Sequence, residues 1–239
     1  MHLDRIAALL APFLRSGLAS NFCLPESGKT GEACPGPAEE EPAVLSVSQL
    51  QRISTYIDIL LRWNARVNLT AIRDPEQIVT RHFGESLFTA RHLFVRNAHV
   101  GTADLGSGAG FPGIPLKIWA PDIALTLIEP NHKKAVFLRE VARCLTLTDI
   151  NILNARAETL APDLHHSFRV VTLRAVERFA AVLPAAARLV APGGRLALLI
   201  GSSQQDLART ALPAVTWSPP IPIPLSTSRV LLIGVSSYS

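Results

Sequence analysis

The stretch Ala103-Asp104-Leu105-Gly106-Ser107-Gly108-Ala109-Gly110-Phe111-Pro112-Gly113 decides how the rest of the chain is read. It follows an apolar run, HVGTADLG, and carries four glycines in the eight residues from Gly106 to Gly113. Glycine lets a backbone turn tightly and approach a ligand without a Cβ in the way, so glycines at this density after a strand mark a binding loop rather than ordinary turns. Gly108, Gly110 and Gly113 satisfy the G-x-G-x-x-G spacing of dinucleotide-binding turns, and the acidic Glu129 follows at the distance where a ribose is held. By spacing alone the loop suits a nicotinamide dinucleotide.

Outward from the loop, strands alternate with helices. Ile114 to Trp119 opens a helix, and Ile123 to Ile128 is a β-branched apolar run ending at Glu129. Lys133 to Leu145 is helical, with Val136, Phe137, Glu140, Val141 and Cys144 at spacings of three and four. Ile150 to Asn154, Arg169 to Leu173 and Arg195 to Ile200 are further strands, with a helix over Arg178 to Val190 between the last two. This grammar predicts βαβ units and a mostly parallel sheet, an α/β fold. VTWS and RVLLIGVSS flank a proline-rich connection too short for a helix, which predicts an antiparallel closing pair at the sheet edge.

Three features turn the loop toward S-adenosylmethionine. Asp104 stands two positions before the first glycine, in a D-x-G-x-G-x-G arrangement that resembles the methyltransferase loop. Pro112 and Pro115 delay the next helix, leaving its N-terminus poorly placed for a pyrophosphate. Ala191-Pro192-Gly193-Gly194-Arg195-Leu196 before a strand resembles the turn common in Rossmann-like methyltransferases. Glu129 would accept from ribose hydroxyls under either cofactor.

Ahead of this body lies a helical module. Ser46 and Gln49 have capping-box spacing, and Leu50, Ile53, Ile57, Leu60 and Leu61 line one helix face. Asp74-Pro75 starts another helix, with Asp74 as N-cap. Between them, Asn64 and Asn68 in WNARVNLTAI are read as turn-forming, backbone-capping residues. Residues 19–43 are rich in Pro, Gly and Glu and read as a linker or extension. Within it, Gly28-Lys29-Thr30 imitates a P-loop, but Cys23 occupies the position of that loop's first glycine. The expected division is an extension over 1–43, a helical module over 44–97 and a Rossmann-like domain over 98–239.

The chain has 239 residues, 48% of them hydrophobic and 18% charged, which excludes wholesale disorder and fibrous classes. Mean hydropathy is +0.27, yet no run approaches the ~18 apolar residues of a spanning helix. Up to Leu45 there are three basic and six acidic residues, so 20 of the 23 basic and 13 of the 19 acidic residues follow it. Seventeen of those 20 are arginine, the side chain suited to bidentate phosphate contact. Cys23, Cys34 and Cys144 form no metal or disulfide framework, in keeping with a reducing cytoplasm and no metal site. The apolar segment Ile6 to Leu14 follows Asp4 and is broken by Pro12, unlike a cleaved signal.

The acceptor leaves its own traces. Methylation at carbon 5 of a pyrimidine needs a cysteine nucleophile, and Cys144 lies inside a helix as a core residue. Methylation of an exocyclic amine uses an Asp/Asn-Pro-Pro-aromatic loop, where this chain has Thr172-Leu173-Arg174-Ala175-Val176. A ring nitrogen with a free lone pair, such as guanine N7, needs only positioning and a polar pocket.

WNARVNLTAI, RHFGESL, ADLGSGAGFPGIPLKI, IEPNHKKAVFLREV, NARAE and LRAV, in this order from about Leu50 to Gly201, resemble the glucose-inhibited division protein B family. These are bacterial 16S ribosomal RNA guanine-N7 methyltransferases. The resemblance implies a Rossmann-like fold, S-adenosylmethionine as cofactor and 16S ribosomal RNA or the small subunit as partner. It also implies cofactor contacts from Gly106, Phe111, Ala157, Glu158 and Arg174. The glycine loop adds Gly108, and Glu129 completes the cofactor set. Arg174, at the mouth where the base enters, is the candidate catalytic residue. Lys133, Lys134, Arg139 and Arg143 along one helix are candidates for phosphate contact, while His82 is either structural or near the cofactor. The family usually has Asp at Glu85 and Lys at Ile200, a lysine placed to touch RNA or the base. A soluble, cytoplasmic monomer is expected. The rivals are a non-catalytic RNA-binding protein on the same fold and a nicotinamide-dependent oxidoreductase.

Overall fold

The computed structural model describes residues 1–15, 43–95, 97–176 and 178–236. The expected linker over 19–43 falls almost wholly outside the described residues, together with Cys23, Gly28-Lys29-Thr30 and Cys34.

The chain opens with helix α1 (Leu3–Leu14) and then α2 (Val47–Asn64), α3 (Pro75–Gln77), a π-helical segment Ile78–Gly84 and α4 (Glu85–Leu93). Ser46 and Gln49 form the expected reciprocal cap on α2. Asp74 stands at the N-cap of α3 but its side chain makes no capping bond, so Pro75 starts that helix on its own fixed φ. Leu3–Leu14 corrects the expectation of an extension reaching to residue 43. Ile6, Leu10, Phe13 and Leu14 are buried in the module's core, and a Cβ on Gly84 would strike the Phe13 ring. The segment is apolar because it is one wall of that core.

The body runs β1 (Gly101–Leu105), α5 (Gly113–Trp119), β2 (Ala124–Ile128), α6 (His132–Cys144), β3 (Ile150–Leu153), β4 (Phe168–Arg174), α7 (Phe179–Leu189) and β5 (Val190–Gly201). It closes with α8 (Gln205–Ala211), β6 (Val215–Trp217), β7 (Ile221–Pro222) and β8 (Arg229–Ser236). The sheet order is β3-β2-β1-β4-β5-β8-β6, with β7 also on β8. The first five strands are parallel, and β8 returns antiparallel along β5, Arg195 opposite Val235. This is the Rossmann-like methyltransferase arrangement expected, with α8 as an unforeseen addition before the closing strands.

Alternation along the strands divides the core in two. In β5, Ala197 and Leu199 face the helical module, α5 and α6, while Leu196, Leu198 and Ile200 face α7 and α8. In β8, Leu231 and Ile233 take the first face, Val230 and Leu232 the second. Ile200 is 3% exposed within the second cluster, so the side chain at this strand end, where a lysine was expected from the resemblance, is core. On α6 the buried stripe is Phe137, Leu138 and Val141. Val136, expected to join it, is exposed, and Cys144 sits half-buried at the helix end.

Candidate active site

Strands β1 and β4 are neighbours, yet β1 is followed by crossings to β2 and β3 on its other side. This is the switch point of a parallel sheet, where loops leaving adjacent strands diverge and open a crevice. The glycine loop leaves β1 here. Gly106, Gly108 and Gly110 have φ of +71°, +55° and +84°, a backbone that side-chain-bearing residues rarely adopt. The carbonyl of Ile128 receives the amides of Gly106 (2.8 Å) and Ser107 (3.1 Å), which folds the loop back over β2.

Three side chains fix the loop. Glu129 accepts from the Gly108 amide through Oε2 and from the Asn131 amide through Oε1, both at 2.8 Å. Asp104 is fully buried beneath the loop, accepting from the Thr172 hydroxyl (2.7 Å) and the Gly113 amide (3.2 Å). Burial pushes its carboxyl up to about 6, against the lowering effect of those bonds. The third anchor, Tyr56, comes from α2: its hydroxyl donates to the Ala109 carbonyl, and its ring stacks on Phe111 with centroids 5.3 Å apart.

The cleft over this loop has a volume of about 590 Å³. Gly106, Gly108, Phe111, Glu129, Ala157, Glu158 and Arg174, the seven residues expected from sequence, all line it. Ala157 and Glu158 belong to a short 3-10 turn after β3, on the Glu129 side. Arg174 ends β4 on the opposite side. Its ion-pair partner is Glu85, across the cleft from Glu158. Its Nη2 donates to Glu85 Oε2 (3.0 Å) and the Arg81 carbonyl (2.6 Å), and its Nη1 to His82 Nδ1 (3.1 Å).

Glu85 therefore sits at a hub. Its buried carboxylate takes Arg81 (3.2 Å), Arg174 (3.0 Å) and Arg229 (2.9 Å), three cations on one anion. Burial, despite Glu85, pulls the Arg174 guanidinium down to about 10. His82 resolves from an undecided residue into part of this wall. Its Nδ1 accepts from Arg174 and its Nε2–H donates to Thr70 Oγ1 (2.8 Å), which fixes the tautomer. Burial, then Arg174, Arg229 and Arg81, drive the imidazole down to about 3. The π-helical segment carries both His82 and Arg81, and such bulges recur at functional sites.

Asn64 behaves as the capping residue expected. Its Oδ1 accepts the amides of Leu69 and Thr70 and its Nδ2 donates to the Thr70 carbonyl, pinning the loop whose Leu69, Thr70 and Ile72 form the cleft's outer edge. Of the four basic residues on α6, only Lys134 reaches the cleft, and Arg143 is paired with Glu140 (3.2 Å). With Arg81, Arg156, Arg174, Arg178 and Arg229 also lining it, the cleft is rimmed by positive charge.

Residues 49–218 match the family model for GidB, rRNA small subunit methyltransferase G. The chain belongs to this family. It is 40% identical over 198 residues to ribosomal RNA small subunit methyltransferase G of Chloroflexus aggregans, covering 79% of this chain and 82% of that one. The protein of the same name from Roseiflexus sp. strain RS-1 is 41% identical over 198 residues, covering 79% and 84%. Among solved structures, a SAM dependent methyltransferase from Aquifex aeolicus superposes with a TM-score of 0.56 at 12% identity, covering 70% of this chain and 96% of that one. At that identity the likeness is one of fold. Within the GidB match lie the glycine loop, Glu85, His82 and Arg174, but Arg229 lies beyond it.

Proposed function

We propose that the chain is an S-adenosylmethionine-dependent methyltransferase of small-subunit ribosomal RNA, acting at a guanine N7, in the cytoplasm and as a monomer. The observation that carries this is the glycine loop at the β1/β4 switch point, opening into a cleft rimmed by five arginines and a lysine. Among the described residues no helix is long and apolar enough to cross a membrane.

The residues present fit the cofactor. The cleft is of a size that holds a drug-sized ligand. A Cβ on Gly106 would press on Val176 at 3.1 Å and narrow the space above the loop. Glu129 keeps lone pairs beyond the two it gives the backbone, enough to accept from ribose hydroxyls. Ala157 and Glu158 would read the adenine, the backbone of Gly106 and Gly108 would follow the methionine part, and Phe111 would be an apolar wall. The chemistry S-adenosylmethionine supplies when bound is a methyl group on a sulfonium sulfur.

The chain's own residues need only hold the acceptor. Guanine N7 carries its lone pair already, so no side chain must take a proton before attack. His82 fits such a reaction, because its Nδ1 lone pair is committed to Arg174 and the imidazole is not needed to take a proton. Arg174, held by Glu85, His82 and the Arg81 carbonyl, is fixed in orientation beside the entry for the base. The arginine rim suits phosphates flanking the target nucleotide.

The test is titration calorimetry with S-adenosylmethionine, with NADH as control, followed by methyl transfer to unmethylated small-subunit RNA and to assembled subunits. Micromolar binding of S-adenosylmethionine alone, with one methyl per RNA at a guanine N7, is expected. Binding of NADH, or transfer to a different base or position, would overturn the reading.

A further inference from the structure

Three aromatic rings are stacked between the helical module and the cleft. Tyr56 lies on Phe111 with planes 5° apart, and Phe111 lies on His82 with centroids 4.7 Å and planes 22° apart. Tyr56 is fully buried, Phe111 nearly so, and the half-buried His82 ends the stack at the cleft. Both ring nitrogens of His82 are engaged, by Thr70 and Arg174, and one face is covered by Phe111. What the ring has left to offer the cleft is apolar π surface, held rigidly at both ends.

We propose that His82 is the platform on which the purine that receives the methyl group stacks. The inference rests on the function proposed above and adds the subsite for the base. A planar nucleobase is the ligand that continues a stack of rings, and base–aromatic stacking tolerates any ring with a π face. The location agrees with the cleft's polarity. Glu129, Ala157 and Glu158 stand at the β2/β3 side, and His82 stands beside Arg174 at the β4 side, leaving the two flat groups at opposite ends. Charge agrees as well. In transfer, the N7 lone pair forms the new N–C bond, the C–S electron pair leaves with sulfur, and the purine ring acquires the positive charge. A neutral imidazole, kept so by burial and the neighbouring arginines, stacks on that ring without repulsion.

The experiment compares His82→Ala, His82→Gln and His82→Phe in the full chain. It measures S-adenosylmethionine affinity, kcat and KM for unmethylated small-subunit RNA, and Tm. Cofactor affinity within about twofold of wild type is expected throughout, with kcat/KM for RNA lowered about tenfold or more in Ala and Gln. His82→Phe restores a ring face without the hydrogen bonds and is expected to recover most of that loss. Should Ala fail to fold, the Gln and Phe pair still decides. A Gln variant with wild-type turnover, or a Phe variant no better than Gln, would overturn the platform and leave His82 a hydrogen-bonding strut. Loss confined to cofactor affinity would overturn it too. A wild-type protein that binds S-adenosylmethionine yet methylates no RNA would overturn the function and the platform together.

Discussion

The two sides of the cleft are built in opposite ways. The β1/β2 side is local: Gly108 of the glycine loop and Glu129 lie 21 residues apart and meet through one bond from the Gly108 amide to the Glu129 carboxylate. The β4 side is assembled: Arg174 meets Glu85 across 89 residues and His82 across 92, and Arg229 joins from the last strand. The local side was legible as a motif because a tight turn demands glycine at fixed places and a strand end fixes where the acidic residue falls. The assembled side has no spacing to read, since its residues converge only once the module has docked on the sheet.

This difference marks what sequence could and could not say. All seven expected site residues line the cleft, and the mostly parallel sheet with its antiparallel closing strand was legible in the βαβ pattern, whereas the strand order was not. Tyr56 was invisible as an anchor, because on α2 it reads as one more core residue of the helix. Glu85 stood out only as a position where the resemblance implies Asp, with no partner to name, and Arg229 was not singled out. The one available signal was RHFGES, polar residues set between the apolar pairs Ile78-Val79 and Leu87-Phe88, where a buried carboxylate needs cations from elsewhere. Leu3–Leu14 was underrated for a similar reason: the segment buries its apolar face only against helices that follow a long separation in sequence.

The local side should fail abruptly. Gly106→Asp puts a side chain at φ +71° against Val176 and a carboxylate into the loop. S-adenosylmethionine affinity is expected to fall on the order of 100-fold or beyond detection by calorimetry. Affinity equal to wild type would remove the loop from the cofactor site.

The assembled side should fail first in stability. Glu85→Gln leaves three guanidinium groups around a neutral amide, and breaking a buried pair of this kind costs about 3 to 5 kcal/mol. For a chain of this length Tm is expected to drop by about 10 °C. Arg174→Ala leaves the carboxylate with Arg81 and Arg229. It should lower Tm much less than Glu85→Gln and yet reduce methyl transfer about tenfold or more. Undiminished turnover in Arg174→Ala would take that residue out of the reaction, and a Tm unchanged by Glu85→Gln would mean that the hub holds nothing.

Tyr56 joins the two sides, since it belongs to the module but holds the glycine loop. Tyr56→Phe keeps the stack on Phe111 and removes only the bond to the Ala109 carbonyl. One neutral hydrogen bond is worth about 1 kcal/mol, so Tm should fall by about 3 °C, and the loosened glycine loop should weaken cofactor affinity by up to about fivefold. Calorimetry and thermal unfolding together check this. A loss of Tm without loss of affinity would make Tyr56 a core residue only.

The smallest contrast is in pH. His82 is held near 3 in the folded chain against an ordinary value of 6.5, so the unfolded state binds a proton that the folded state refuses. Its contribution is intact above pH 6.5 and is lost progressively as pH falls from there toward 3. His92, lowered by burial, works in the same direction. Asp104, raised to about 6, has the opposite sign: the folded state holds its proton more tightly, and stability is gained as pH falls from 6 toward 3.8. Between pH 7.5 and 5.5 the two site residues therefore oppose each other, each by about 1 kcal/mol. His82→Gln removes one and leaves the other, so its acid loss of Tm over this interval should be about 3 °C smaller than that of wild type. Thermal unfolding of both proteins across the interval measures it. Parallel Tm curves would mean that His82 takes up its proton in the folded state as readily as in the unfolded one, and the neutral platform at the assembled wall would go with it.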